Sequence, residues 1–158
     1  MKDLHGIARK MYKKLNIPLV LCGTSVDKDV NSKLIELIKN EVEIIDMLGK
    51  TSILEYIDLI KKAKYVVTND TGIYHIATIS QVPTAILAGG YAYDRFANYK
   101  FEGSENYKMP YIITENMDCF NCENRCIYKN EMKNTWPCLE KITEEKAWKI
   151  INKMIEEC

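Results

Sequence analysis

The chain has 158 residues, 47% of them hydrophobic, enough for one well-buried domain and too few for two large ones. Lysine plus arginine and aspartate plus glutamate number 22 each, so the formal charge is zero; no basic excess exists to neutralise a long run of phosphates, and nucleic acid is not expected as a partner. No stretch reaches the roughly 20 apolar residues of a membrane span, and the start MKDLHGIARKMYKKLNI lacks the unbroken apolar core of a signal peptide, so a cytoplasmic location is expected.

In chain order, Leu4, Ile7, Ala8, Met11, Tyr12 and Leu15 recur at three- and four-residue spacings and predict an amphipathic helix over 2–15. IPLVLC (17–22), closed by Gly23, reads as a buried strand, and DVNSKLIELIKN (29–40) returns to helical period. VEIIDM (42–47) is strand-like; LGKTS then turns into the helix ILEYIDLIKKA, with Ser52 as its N-cap. YVVTN (65–69) is the next strand, TGIYHIATIS a helix, and PTAILAG (83–89) a further strand. After about residue 90 the alternation fails. Residues 91–138 read as loop with one strand at YIIT (111–114), and a closing helix, TEEKAWKIINKMIEE, starts from Thr143. Lys146 stands where a capping box needs an acid or amide, so that box is incomplete. There is no internal repeat and no low-complexity tract.

Strands alternating with helices of this length predict an α/β fold: a Rossmann-like parallel sheet flanked by helices, in a single domain over 1–158. The parts are a βα core (1–90), a loop and cysteine segment (91–141) and a closing helix (142–157). Right-handed crossovers bring the loops after each strand (23–29, 47–52, 69–72 and 89–96) to one edge, where ligands bind in open α/β sheets.

One of those loops concentrates chemistry. YVVTNDTGIYHIA (65–77) ends a β-branched run in Asn-Asp, breaks at Thr-Gly, and restarts as a helix carrying one of only two histidines. A helix N-terminus offers unpaired N–H groups and the positive end of its dipole. Gly72 lets a ligand approach the backbone, Thr71 adds a hydroxyl, and His75 lies one turn on along the same side. The three form a candidate anion cradle suited to a diphosphate. The structural alternative makes Asp70 an N-cap, Gly72 a relief of crowding and His75 a satisfied core histidine.

GKTSILEYIDLIKKAKYVVTNDTGIYHIATISQVPTAILAGG, with the following GGYAYDRFANY and MDCFNCENRCIY…PCLEKI, closely resembles the C-terminal domain of glycosyltransferase family 9, the ADP-heptose:lipopolysaccharide heptosyltransferases and their relatives. The resemblance covers roughly Asp3 to Ile151. It implies one half of a GT-B fold, the half that holds a nucleoside-diphosphate sugar, with no organic cofactor. Asp70, Thr71, Gly72 and His75 would line the donor diphosphate. Asp27 matches the acid that holds the ribose hydroxyls, with Asp29 as a rival; either is also an acid at a helix start. Lys50 and Thr51 match the turn against the base, although GKT here lacks the spacing of a P-loop. Arg95 matches a loop arginine able to clamp a phosphate or carboxylate, its alternative being a plain surface arginine.

The family's domain opens with a further strand and a phosphate-contacting lysine, for which Lys2 is the only candidate here. Its N-terminal, acceptor-binding domain with the catalytic aspartate has no counterpart in the sequence. The resemblance therefore implies a glycan or lipid-linked acceptor reached through a missing N-terminal domain, and transient contact with the inner membrane face. Transfer would proceed by direct displacement with inversion, and this chain offers no placeable base for it.

Of six cysteines, Cys22 and Cys158 stand alone, while Cys119, Cys122, Cys126 and Cys138 crowd into twenty residues as C-x₂-C-x₃-C-x₁₁-C. Such spacing suits a closed tetrahedral structural zinc site; an iron–sulfur cluster, disulfides or free core thiols are the other readings. The functional expectation is a nucleotide-sugar donor-binding domain of a bacterial glycosyltransferase of lipopolysaccharide or surface-glycan synthesis. Its rivals are a non-catalytic, metal-stabilised binding module on the same fold and, less favoured, a nucleotide-sugar epimerase.

Overall fold

The computed structural model describes residues 4–99, 101–132 and 135–158. Lys2, the candidate phosphate lysine, lies outside the described residues, as do the first two positions of the expected opening helix. The chain divides into two compact units, residues 2–59 and 60–158.

In the first unit, α1 (Leu4–Leu15) leads to β1 (Leu19–Leu21). A 3₁₀ turn at Ser25–Asp27 then runs directly into α2 (Lys28–Ile38), and β2 (Ile44–Asp46) follows. β1 and β2 pair in parallel, Leu19 opposite Ile44 and Val20 opposite Ile45. Leu19 and Ile44 pack against a cluster of Ala8, Ile38 and Val42, joined by Tyr12 and Leu34, so α1 and α2 cover the strand positions that alternate inward. The buried strand expected at 17–22 is corrected here to the three residues of β1, with Val20 41% exposed; Val20 and its partner Ile45, 44% exposed, both point away from that cluster.

α3 (Ile53–Lys62) starts as the sequence predicts. Ser52 Oγ accepts from the Glu55 N–H at 3.3 Å, while the Ser52 N–H and hydroxyl both donate to the Glu55 carboxylate, at 2.7 and 2.8 Å. That is a reciprocal capping box.

The second unit contains β3 (Val66–Asn69), α4 (Gly72–Ile79), β4 (Thr84–Leu87), β5 (Tyr111–Ile113), α5 (Pro137–Glu140) and α6 (Glu144–Glu157). The strands are all parallel, in the order β3-β4-β5. β4 is central, and each of its four residues is buried. α4 packs on β3 and β4, and α6 packs on β4 and β5. Buried Ala147, Ile151 and Met154 fall on one stripe of α6. Thr143 Oγ1 accepts the Lys146 N–H at 3.2 Å, and the Lys146 side chain, unable to complete a box, pairs with Glu115 at 2.7 Å. Among the described residues, no helix is long and apolar enough to cross a membrane.

Candidate functional site

The β3–α4 junction follows from its sequence. Val66, Val67 and Thr68 suit a pleated strand. Pairing continues past the strand end, where the Asp70 N–H donates to the Leu87 carbonyl at 3.2 Å. Thr71, with extended backbone at φ −142°, is the N-cap of α4; the alternative in which Asp70 caps the helix is therefore corrected by one residue. The Thr71 hydroxyl makes no capping bond and the residue is exposed. Of the first-turn N–H groups, that of Tyr74 donates to the Thr71 carbonyl at 3.1 Å, which leaves those of Gly72 and Ile73 at the open end of the helix.

Gly72 occupies the first helical position, and a Cβ built there meets nothing within 4 Å. The glycine relieves no crowding inside the chain. It instead leaves open the approach to the helix N-terminus.

His75 lies one turn further on and is half-buried. Its Nδ1 is hydrogen-bonded to the Tyr99 hydroxyl, with the two rings edge-on at 89°. Tyr74 beside it is fully buried and donates its hydroxyl to the Ala97 carbonyl. Tyr74, Ile86, Ala88 and Ala97 form one core cluster, with Tyr93 and Tyr99 packed on it, so the segment after β4 is fastened over α4. Arg95 rides on that segment, in a π-helical turn at Tyr93–Ala97. It is exposed, its guanidinium 4.9 Å from the Phe96 ring centre.

Beyond the strand ends lies an open cleft of about 260 Å³, bounded by Asn69 at the end of β3 and Asp70 after it, Leu87 at the end of β4 and Gly89 after it, Tyr91, Thr135 and Leu139. Burial pushes the Asp70 carboxyl above the ordinary range, with His75 opposing. The Tyr91 and Tyr99 hydroxyls are pushed up by burial and then by the Asp70 charge. Tyr91 and Tyr99 stand within GGYAYDRFANY, where the resemblance points to Arg95 alone and no periodicity marks either tyrosine.

The remaining expected site residues belong to the first unit. The Thr24 N–H and hydroxyl both donate to the Asp27 carboxylate, at 2.8 and 2.7 Å, and hold its pKa below the usual range. Asp27 thus serves the start of α2, while its rival Asp29 lies in the first turn of that helix. Lys50 Nζ folds back onto Asp46, donating to its carbonyl at 2.7 Å and its carboxylate at 3.1 Å. Thr51 is half-buried immediately before the Ser52 cap.

Cys119, Cys122, Cys126 and Cys138 line one small cavity of about 10 Å³, with Gly90, Tyr91, Phe120 and Trp136 among its other walls. All four are free thiols. Desolvation and hydrogen bonding to Cys126 and Cys122 raise the Cys119 pKa. As the side chains stand, no group of three or more His, Cys, Asp or Glu among the described residues is set to hold a metal ion.

Comparison with known proteins adds a family. The profile described as glycosyltransferase family 9 (heptosyltransferase) matches residues 7–125. A lipooligosaccharide heptosyltransferase 2 of Haemophilus influenzae is 33% identical over 73 residues, 45% of this chain and 21% of that protein. Two solved structures share the fold over nearly the whole chain. The ADP-heptose lps heptosyltransferase II of E. coli has TM-score 0.64 and 17% identity, covering 97% of this chain and 41% of its own. A glycosyl transferase family 9 protein of Veillonella parvula has TM-score 0.67 and 21% identity, with 98% and 41% covered. The chain therefore spans about a fifth of the curated relative and about two-fifths of the solved chains.

Proposed function

The chain belongs to glycosyltransferase family 9, and from that premise we propose that its Asp70–His75 turn binds the diphosphate of a nucleotide-sugar donor. The observation that carries this reading is Gly72: a helix N-terminus whose first residue leaves open space, flanked by an exposed threonine hydroxyl that the helix does not use. An anion seated there meets backbone N–H groups and the positive end of the α4 dipole. The Thr71 hydroxyl donates to it. His75, oriented by Tyr99, presents its other ring nitrogen.

The cleft beside the turn would take the sugar. Asp70 and Asn69 supply acceptors for sugar hydroxyls, and Tyr91 and Leu139 supply apolar wall. In transfer, negative charge grows on the departing nucleoside diphosphate, and the cradle stabilises it there. The base that activates the acceptor hydroxyl would come from outside this chain's described site. The related proteins' names point to lipopolysaccharide or lipooligosaccharide synthesis, and we assign the donor-binding role in such surface-glycan assembly to this chain.

The test is calorimetric titration of the wild type and Thr71→Val with inorganic pyrophosphate and with ADP. Loss of one charge-assisted hydrogen bond is worth about 1.5–3 kcal/mol, so the variant should bind both ligands roughly ten-fold or more weakly with an unchanged melting temperature. Equal binding by the two proteins would remove the cradle.

A further inference from the structure

We propose that Cys119, Cys122, Cys126 and Cys138 bind one thiophilic divalent cation of the zinc class, and that the ion-bound loop braces the Gly90–Tyr91 wall of the cleft.

Four thiols from a segment with little regular structure converge on one cavity, and none of them is in a disulfide. Cys119, Cys122, Cys126 and Cys138 all border the same space, closed by the Phe120 and Trp136 rings. Tetrahedral metal–sulfur bonds of about 2.3 Å need the four sulfurs roughly 3.8 Å apart around one centre. The backbone between the first three cysteines is wound to bring them together: Asn121, Glu123 and Asn124 all adopt left-handed conformations, at φ 61°, 47° and 66°. Asparagine adopts such angles readily and glutamate rarely, so Glu123 is the position held there by its surroundings. Glu115 also borders the cavity, but its carboxylate is paired with Lys146 at 2.7 Å, which leaves an all-sulfur donor set.

As they stand, the side chains are free thiols around one cavity, not a ligand shell. Binding therefore requires thiol rotation and proton release: one M²⁺ and four R–SH give a tetrathiolate of charge −2 and four protons lost to solvent. Four S–H bonds break and four metal–sulfur bonds form, with no change of oxidation state.

The loop carrying these cysteines also holds the turn after β4. The Asn121 N–H donates to the Gly90 carbonyl at 2.7 Å, and the Glu123 N–H to the Tyr91 carbonyl at 2.8 Å. The Asn121 amide donates to the Asp94 carboxylate at 2.6 Å, and the Asp94 N–H donates back at 3.1 Å. The Phe120 ring lies so close to Gly90 that a Cβ there would meet it at 2.8 Å, and Trp136 packs on Tyr91 at 5.6 Å between ring centres. Tyr91 borders both the thiol cavity and the cleft. Closing the four thiols on an ion fixes this wall; the consequence for nucleotide binding rests on the donor-site reading, and the metal site does not.

The test is an anaerobic titration of the reduced, chelator-stripped chain with Co²⁺, followed by Zn²⁺. The expected result is sulfur-to-cobalt charge-transfer absorption that saturates at one equivalent and is abolished by Zn²⁺, with amide shifts at Gly90 and Tyr91. Cys122→Ser should lose the band and Cys158→Ser keep it. Absence of charge-transfer absorption in the folded wild type overturns the proposal, as does a band that survives Cys122→Ser. A Co²⁺ band in protein that binds no nucleotide would uphold the metal site and discard the donor reading.

Discussion

The Tyr99 hydroxyl is hydrogen-bonded to Nδ1 of His75, across a separation of 24 residues. Tyr99 is held in its protonated form by burial and by the nearby Asp70 charge, so it can donate at neutral pH. When it does, the imidazole carries its proton on Nε2, the nitrogen left to meet a ligand. Tyr99 is therefore a positioning residue for His75.

Tyr99→Phe removes that bond and keeps the ring that packs on Tyr74. A neutral hydrogen bond contributes about 1 kcal/mol, so nucleoside diphosphate binding should weaken about five-fold. Binding by Tyr99→Phe equal to that of the wild type, measured by calorimetry, would separate His75 orientation from ligand affinity.

Gly72→Ala separates ligand approach from folding. With nothing within 4 Å of the new Cβ, the folded chain has room for it. Alanine narrows the unfolded ensemble and should raise stability by about 0.4–1 kcal/mol. The same methyl intrudes on the open approach to the helix N-terminus and should weaken pyrophosphate binding. A variant more stable and equally competent in binding would show that no ligand comes close there.

Asp70 and Asp27 should give opposite pH signatures. Asp70 has a folded pKa above its unfolded value, so the folded state binds its proton more tightly. Its ionisation costs stability as pH rises from the ordinary carboxylate range through the folded pKa. Asp70→Asn should accordingly match the wild type at low pH and gain on it as pH rises through that window. Melting curves with a pH-independent difference would rule out the titration of Asp70 as the cause.

Asp27 has a folded pKa below its unfolded value, because Thr24 donates two hydrogen bonds to the carboxylate. Its stabilisation is present above the unfolded pKa and is lost as pH falls through the folded one. Asp27→Asn should melt below the wild type at neutral pH and converge with it in acid. The same variant tests the ribose role: a larger loss of affinity for ADP than for pyrophosphate supports it, and equal losses confine Asp27 to the helix start.

Local features were legible in the sequence. The Ser52 cap, the Thr143 cap, the β3–α4 break at Thr-Gly and the apolar run of β4 each depend on residues within a few positions of one another. What escaped were partnerships set by the fold. Tyr99 reaches His75 from a loop without periodicity, and Thr24 engages Asp27 because a 3₁₀ turn starts the helical segment at Ser25, ahead of the expected 29. α5 carries no such signal, since four residues starting at Pro137 are too few for a helical period. The cysteine spacing foretold a cluster but not that its backbone would grip Gly90 and Tyr91.

The central claim is that the Asp70–His75 turn binds a nucleoside diphosphate. The most direct measurement is titration of the reduced, folded chain with ADP, UDP, GDP and CDP while following backbone amide shifts. The account predicts saturable shifts at Thr71, Gly72 and His75, strongest for the nucleotide whose base the site accepts. No saturable shift at those three residues with any of the four would contradict it.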